Sequence, residues 1–509
     1  MDHVLYGLAV NPALPSDLLD RLVRTADEVV AAGLAERADL TREQAAALVA
    51  RDEDSAAGLA ERGLLTAGDI DPVAQPSAAL ALLAEGAGRP EWARLFAADP
   101  DPGRRERLAG CPGLPSDVTE VLAADADIGV VAELALWTTP DTAARLAEHP
   151  HAEVRRAVAV NEATPPEVLA ALLTGEGVSP ARRCLVCDRK RTPFVHDPDC
   201  QEPDCGLPSD ASCDGSHEST VHATQQYALR NPATPAAAVA GFADHPSTLL
   251  RWELAGRTDL PPEVYERLAG SPEAGIRGTL AENSSIGDAL IHRLAEDAGY
   301  DVRRRLAHNP RVPLEVLTRL AGAVRVGPTL LPRIAAASRA EVEELAASPD
   351  PAVRMLTAER RDLPPATRDA LAADPDAKVA KSVAPHPGLS ESRLRAMVAR
   401  HGVQVVARVA RNPDAPPELL EDLVRHDPPA RKAFREVARH PNATARALSA
   451  CLRDPRARPV AAGHPALPPR VVVELLADDD WAVGQAAAAN PALPPAVMSA
   501  LVSRHVGGG

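Results

Sequence analysis

The sequence predicts an all-α solenoid of short stacked repeats, and three observations carry that prediction. A proline-bearing phrase returns at a near-constant interval, as NPALP at Asn11 and Asn490, NEATPPEVL from Asn161, NPATPAAAV from Asn231, NPRVPLEVL from Asn309 and NPDAPPELL from Asn412. Apolar residues keep a helical spacing behind each phrase. Aromatics are scarce: Phe, Tyr and Trp supply four each to 509 residues, of which 45% are hydrophobic. Thick cores lean on aromatic side chains for buried area, so Ala, Leu and Val must here pack as thin layers.

With the Asn taken as slot zero, copies fall at 11, 37, 62, 86, 111, 136, 161, 231, 257, 283, 309, 335, 360, 386, 412, 440, 464 and 490. One interval apart, the steps are 24 to 28 residues, giving eighteen units, of which that at 335 fits least well. Four residues after the slot stands Pro at 15, 90, 115, 140, 165, 235, 261, 313, 364, 416, 468 and 494, and Thr41, Thr66, Ser390 or Thr444 elsewhere. Pro suits a first helical turn, where its missing N–H is not needed, and Ser or Thr caps the free N–H groups. Slot +11 is apolar, as in Leu22, Leu48, Val73, Leu122, Leu268, Leu320, Met397, Cys451 and Leu475, and slot +7 is often Val or Leu. One helical turn separates those two slots, so they share a face. Cys451 is thereby a small core residue. A second apolar segment precedes each slot, such as VRRAVAVN from Val154 and VRRRLAHN from Val302. Each unit therefore reads as two short helices of about two to three turns, too small to bury its own apolar face without neighbours. No period-2 alternation runs anywhere, so no strands are expected.

The pattern VRxxVAxNPxxPPExLxxL resembles the leucine-rich repeat variant family over nearly the whole chain, and it overlaps with HEAT-like repeats. That resemblance implies a right-handed superhelix in which short α-helices alternate with 3-10 or α-helices. It also implies a scaffold or binding surface and no reaction.

The step from 161 to 231 is 70 residues, one unit plus an insert. This divides the chain into repeats over 1–173, a Cys-rich insert over 174–220 and repeats over 221–509. The insert has few apolar residues and dense turn formers, so it needs a staple. It holds Cys184, Cys187, Cys200, Cys205 and Cys213 in the spacing C-x2-C-x12-C-x4-C-x7-C, with His196 and His217 interleaved. A C-x2-C pair aims two thiolates at one ion and a later pair completes a tetrahedron. Cys184, Cys187, Cys200 and Cys205 are the simplest closed set, with Cys213 and His217 substituting or belonging to a second site. Zinc is the default metal for mixed Cys and His donors. An iron–sulfur cluster is the rival. Some leucine-rich repeat variant proteins carry such a segment at their N-terminus, and Cys213-Asp214-Gly215-Ser216-His217 resembles the signature of CDGSH-type iron–sulfur proteins. The upstream C-x-C of that family is replaced here by Glu202 and Asp204.

Six residues before the slot Arg recurs, at 105, 155, 251, 277, 303, 354 and 458. It forms either an internal ion-pair ladder, favoured by the Asp99–Arg105 and Asp297–Arg303 spacings, or a positive track for phosphates or an acidic peptide. A net charge of −16 disfavours nucleic acid and anionic lipid as partners. Histidines before Pro at 149, 245, 386, 440 and 464 read as turn residues. No phosphate-binding Gly loop, GxSxG elbow or HExxH is present, so no enzyme is expected. The start MDHVLYGLAVNPALP is no secretory signal, and no run reaches 18 apolar residues. The expectation is a cytoplasmic, non-enzymatic repeat scaffold that binds a protein partner.

Overall fold

Proline decides where the second helix of each repeat begins. In the computed structural model, which describes residues 2–188 and 217–506, Pro15 (φ −58°, ψ 143°) and Pro165 (φ −56°, ψ 140°) are N-caps. The helices Ser16–Thr25 and Pro166–Thr174 follow one residue later than a first-turn proline would place them. The fixed φ of Pro matches the extended cap residue, which needs no N–H of its own. Pro90 and Pro140 do occupy the first helical residue. Thr41, Ser390 and Thr444 cap through their hydroxyls, which accept from the backbone N–H three residues on.

The described residues form 35 α-helices, two 3-10 turns and no strand, so the chain is an α-solenoid. Both helices of a repeat are α; the 3-10 turns are confined to Glu53–Ser55 and Ala240–Asp244. Helices that precede the slot stack on one another from repeat to repeat, as do those that follow it, which gives two layers. The core lies between them. It is filled by slot +11 (Leu22, Leu122, Leu268, Leu320, Met397, Cys451), by slot +7 (Leu18, Val118, Val264, Val316) and by the unforeseen slot +8 (Leu19, Leu169, Ile291, Leu420, Met498), all buried. Val73 departs from this, at 76% exposure, because residues 62–75 form turns and no helix. Gly68, Asp69, Asp71 and Pro72 break that segment.

Two compact units make up the chain: residues 1–78 with 327–509, and residues 79–326. The second boundary falls within 321–334, a stretch that departs from the repeat pattern.

The slot residue is the joint between repeats. Asn309 Nδ2 donates to the backbone oxygens of Ala281 (2.8 Å) and Asn283 (2.8 Å) in the preceding repeat. Asn283 does the same to Ala255 and Arg257, and Asn161 to Ala135 and Thr138. Each Oδ1 accepts the N–H two residues on, as Asn11 does from Ala13 at 2.8 Å. Where Arg holds the slot it makes the same bonds back to the preceding repeat, and at all but Arg62 an Asp two residues later supplies its partner. Arg37–Asp39, Arg257–Asp259 and Arg360–Asp362 are such pairs, at 2.6 to 2.7 Å. His440 and His464 reach Asn412 O (2.8 Å) and His440 O (3.1 Å) through Nε2, while Nδ1 accepts from the N–H two residues on. These histidines are therefore joint residues rather than simple turn formers. The same rungs place two joints at Thr138 and Ala337, two residues beyond the slots read at 136 and 335. In the unit of residues 327–509 and 1–78, Asn490 bonds Ala462 and His464, and Asn11 in turn bonds Ala488 (2.7 Å) and Asn490 (2.9 Å). The first repeat thus follows the last in one stack.

The arginines six residues before the slot form a second, ionic ladder. Arg105 meets both oxygens of Asp125 (2.6 and 3.0 Å), Arg277 those of Asp297 (2.7 and 3.0 Å) and Arg354 those of Asp374 (2.7 and 3.1 Å). The acid lies twenty residues on, in the next repeat, while the Asp six residues back offers Arg105 only its carbonyl (2.8 Å). The hydrogen-bonded guanidinium holds Asp125 and Asp297 below the usual carboxylate range. These arginines are engaged inside the stack and do not form an open positive track.

Replacing Asn309 by Leu should leave two buried carbonyl oxygens without donors and lower stability by about 2–4 kcal/mol, measured by urea denaturation. A pH dependence follows from the buried slot histidines, of which His386 makes neither joint bond and keeps both ring nitrogens without a partner among the described residues. Burial lowers His464 and pushes His386 down to about 4, with Arg361 adding to the effect at His386. The folded chain keeps these rings neutral while the unfolded chain protonates near 6.5. Stability is therefore full above that pH and declines as pH falls toward 4, by about 3 kcal/mol for His386 alone. His386→Asn should flatten the decline of Tm between pH 6.5 and 4.

Candidate metal centre

The Cys-rich segment enters from a helix whose end is set by glycine. Pro166–Thr174 stops at Gly175, a left-handed cap at φ 76°, and Gly177 repeats the left-handed turn at φ 77°. The chain then runs beside the turn that precedes the helix Ala152–Val160. Arg182 N donates to Pro150 O (2.8 Å) and Ala152 N to Arg183 O (2.8 Å), pairing His151 with Arg183 as an isolated parallel bridge. Arg155 reinforces this entry. It belongs to the arginine row, but the position twenty residues on is Gly175, so no carboxylate waits there. Arg155, 7% exposed, donates instead through its guanidinium to the carbonyls of His149 (2.6 Å) and Ser179.

Directly after the bridge, residues 184–188 turn on themselves, with Asp188 N donating to Cys184 O at 3.1 Å. The turn brings Cys184 Sγ to 3.3 Å from Cys187 Sγ, and Cys184 N donates to the latter at 3.2 Å. A disulfide would hold the sulfurs at about 2.05 Å, so this is a pair of thiols. Asp188 fixes the turn from behind, with one oxygen 2.9 Å from Arg183 and the other 3.4 Å from His151 Nε2. The third donor arrives from the far end of the insert. His217 is buried, sits at φ 57° immediately before the helix Glu218–Arg230, and places Nδ1 at 3.5 Å from Cys187 Sγ. That helix is seated by Gln225, which donates to Leu173 O (3.2 Å), and by Arg156, which lies 5.4 Å over the Tyr227 ring. Asn231 closes the next joint, with bonds to Ala159 O (3.1 Å) and Asn161 O (3.0 Å).

Three soft donor atoms, of Cys184, Cys187 and His217, therefore lie within 4.8 Å of one another. In a tetrahedral thiolate site with 2.3 Å metal–sulfur bonds, donor atoms stand about 3.8 Å apart. The separations of 3.3 and 3.5 Å come close to that arrangement. By spacing alone, Cys200 and Cys205 go with the first pair and His217 stands in reserve. Among the described residues it is His217 that joins Cys184 and Cys187. Cys200, Cys205, Cys213 and His196 lie outside the described residues. The positioning roles of His151, Arg155 and Asp188 escaped the sequence reading, although the vacant partner position at Gly175 is visible there. The remaining cysteines are inert by burial, which pushes the Cys111 thiol up to about 11 and Cys451 to about 12.

No family model and no curated protein matches the chain. Among solved structures, a leucine-rich repeat variant with a novel repetitive structural motif is similar at 16% identity, over 53% of this chain and 87% of that one, with a TM-score of 0.30. An engineered protein is similar at 15% identity, over 96% and 92%, with a TM-score of 0.12. Kap121p bound to Ste12p is similar at 12% identity, over 96% of this chain and 53% of that one, with a TM-score of 0.20.

Changing Cys184 and Cys187 together to Ser should leave most of the helical circular dichroism, because the joint at Asn231 is made outside the insert. Alkylation of the native protein, read by mass spectrometry, should spare Cys111 and Cys451.

Proposed function

We propose that the chain is a non-enzymatic scaffold that binds a protein partner along its repeats. In this reading residues 174–220 form a zinc-stapled insert between the repeat segments 1–173 and 221–509. The observation that supports a partner is the exposure of aromatic side chains in a chain that has so few. Trp137 is 67% exposed, Trp481 62%, and Trp252 and Tyr300 45% each. Only Trp92 of the four tryptophans is buried. Exposed Trp and Tyr are the residues that most often anchor protein interfaces.

Convergence of Cys184, Cys187 and His217 supports the staple, with Cys200, Cys205 or Cys213 as the source of a fourth donor. Bound zinc would supply tetrahedral closure and no reaction. It would tie the turn after Thr174 to the residue that opens the helix Glu218–Arg230, and so shorten the free loop between them. Thiols kept reduced at this spacing suit a reducing compartment such as the cytoplasm, and no helix among the described residues is long and apolar enough to cross a membrane. A redox or sensor protein with an iron–sulfur cluster is the second reading, favoured by one observation. His217, the last residue of the CDGSH-like signature, is a member of the cluster of donors. The paired arginines offer nothing to a nucleic-acid reading.

Metal analysis with a visible spectrum separates the two metals. Colourless protein with about one or two equivalents of zinc supports the staple; brown protein absorbing near 400 nm under anaerobic purification replaces zinc by the cluster. For the partner, in-cell cross-linking should yield a dominant protein adduct that is lost when Trp137 and Trp252 are both changed to Ala with circular dichroism unchanged. An adduct indifferent to that change would sink this surface.

A further inference from the structure

We propose that the outward face of three successive helices in the layer that precedes the slot, Ala377–Val383, Val403–Val409 and Arg431–Arg439, binds an acidic segment of a protein partner. This inference rests on the scaffold reading and gives the partner a chemistry. The three helices stack in order within the unit of residues 327–509 and 1–78. They carry seven Lys or Arg and one carboxylate, in a chain whose net charge is −16. Lys378 and Lys381 belong to the first and Arg408 to the second. Arg431, Lys432, Arg435 and Arg439 belong to the third, and all but the half-buried Arg408 are exposed. Three of the chain's four lysines lie here, so the face is built from a residue that the arginine ladder does not use. Lys378 and Lys432 both stand eight residues before their slots, and Lys381 and Arg435 both stand five before. Equivalent positions share a side of the stack, so these charges face the same way.

The cations of this face lack acids. In the unit of residues 79–326 the same layer pairs its outward charges from repeat to repeat, Arg230 with Glu253 (3.2 Å) and Arg305 with Glu282 (2.7 Å). Here the sole carboxylate of the three helices, Glu436, meets Arg411 at 3.3 Å. The acids at the start of the first helix are engaged too, Asp374 with Arg354 and Asp376 with the Lys378 N–H. Among the described residues none of the seven cations has an ion-pair partner. Like charges held side by side repel, and an acidic ligand turns that repulsion into attraction. Neighbouring helices lie about 8–10 Å apart and an extended chain advances about 3.3 Å per residue, so a strand laid across them sets every third side chain over a helix. An Asp or Glu at that spacing meets each helix in turn. Nucleic acid fits less well. Phe434, the sole aromatic of the three helices, is half-buried, so bases find no exposed ring to stack on. A duplex longer than the face would also run out over a chain of net negative charge.

The test measures fluorescence anisotropy of a labelled peptide of about twelve residues, with glutamate at every third position among serine and glycine, against the full-length protein. Binding should saturate at low salt and weaken about tenfold or more between about 20 and 200 mM salt. Changing Lys378, Lys381, Lys432 and Arg435 together to Gln should weaken it about tenfold with circular dichroism unchanged. Lys378→Arg, Lys381→Arg and Lys432→Arg combined should bind as the wild type does. Gln in place of four exposed cations elsewhere, Arg24, Arg42, Arg319 and Arg504, should change affinity by less than about twofold. No binding at low salt overturns the proposal, as does equal weakening by the two sets of Gln changes. Tighter binding of a short DNA duplex than of the peptide gives the face to nucleic acid and also overturns it. A protein adduct that persists in cross-linked cells while the peptide fails to bind overturns this face and leaves the scaffold reading standing. Salt-sensitive peptide binding without any adduct supports the face and removes the evidence for the wider scaffold.

Discussion

A short helix that ends inside a stack leaves carbonyl oxygens pointing at the next repeat, and most of this structure answers the need to give them donors. The described joints answer it in three chemically different ways. Asn does so with one amide that donates back to the preceding repeat and accepts from its own turn. His does so with a ring whose two nitrogens divide those tasks, which holds only while the ring is neutral. Arg has donors alone, and at every such slot but Arg62 an Asp stands two residues on, as in Arg37–Asp39 and Arg257–Asp259. Buried carbonyls without partners are expensive, and in repeats this small little hydrophobic area is at hand to offset them. The slot is therefore more constrained by the job than by the residue type.

That distinction explains what could be read from the chain and what could not. The helix starts were legible because Pro, Ser and Thr declare them locally, and slot +11 was legible because Leu recurs there with helical spacing. The joint was not. Asn, Arg, His and Cys at equivalent slots look like noise until the carbonyls opposite them are seen. The arginine row shows the same gap: spacing within a repeat pointed to the Asp six residues back, whereas the carboxylate lies twenty residues ahead, across the interface. Val73 and the joints at Thr138 and Ala337 mark where a regular period was extended over local turns or over a helix with extra residues.

For the metal centre, the C-x2-C pair announced itself, since two thiols that close a tight turn need no tertiary information. His217 did not rank with it, because its value comes from the helix it precedes. The contacts that seat the helix Glu218–Arg230, from Gln225, Arg156 and Asn231, carry that residue back toward a turn thirty positions earlier. Behind the turn, Arg155 does for a backbone carbonyl of the insert what its counterparts do for a carboxylate of the next repeat. The insert is thus moored by residues the stack already had.

The rung from Asn231 to Ala159 and Asn161 spans 70 residues of chain yet has the geometry of its neighbours. Such a rung is indifferent to what lies between its ends. Each doubling of an intervening loop costs only about 0.6 kcal/mol in closure entropy, so this position behaves as a port at which the stack can host foreign sequence without surrendering register. The Cys-rich segment then reads as a passenger in a general socket, and a different folded cargo could occupy it.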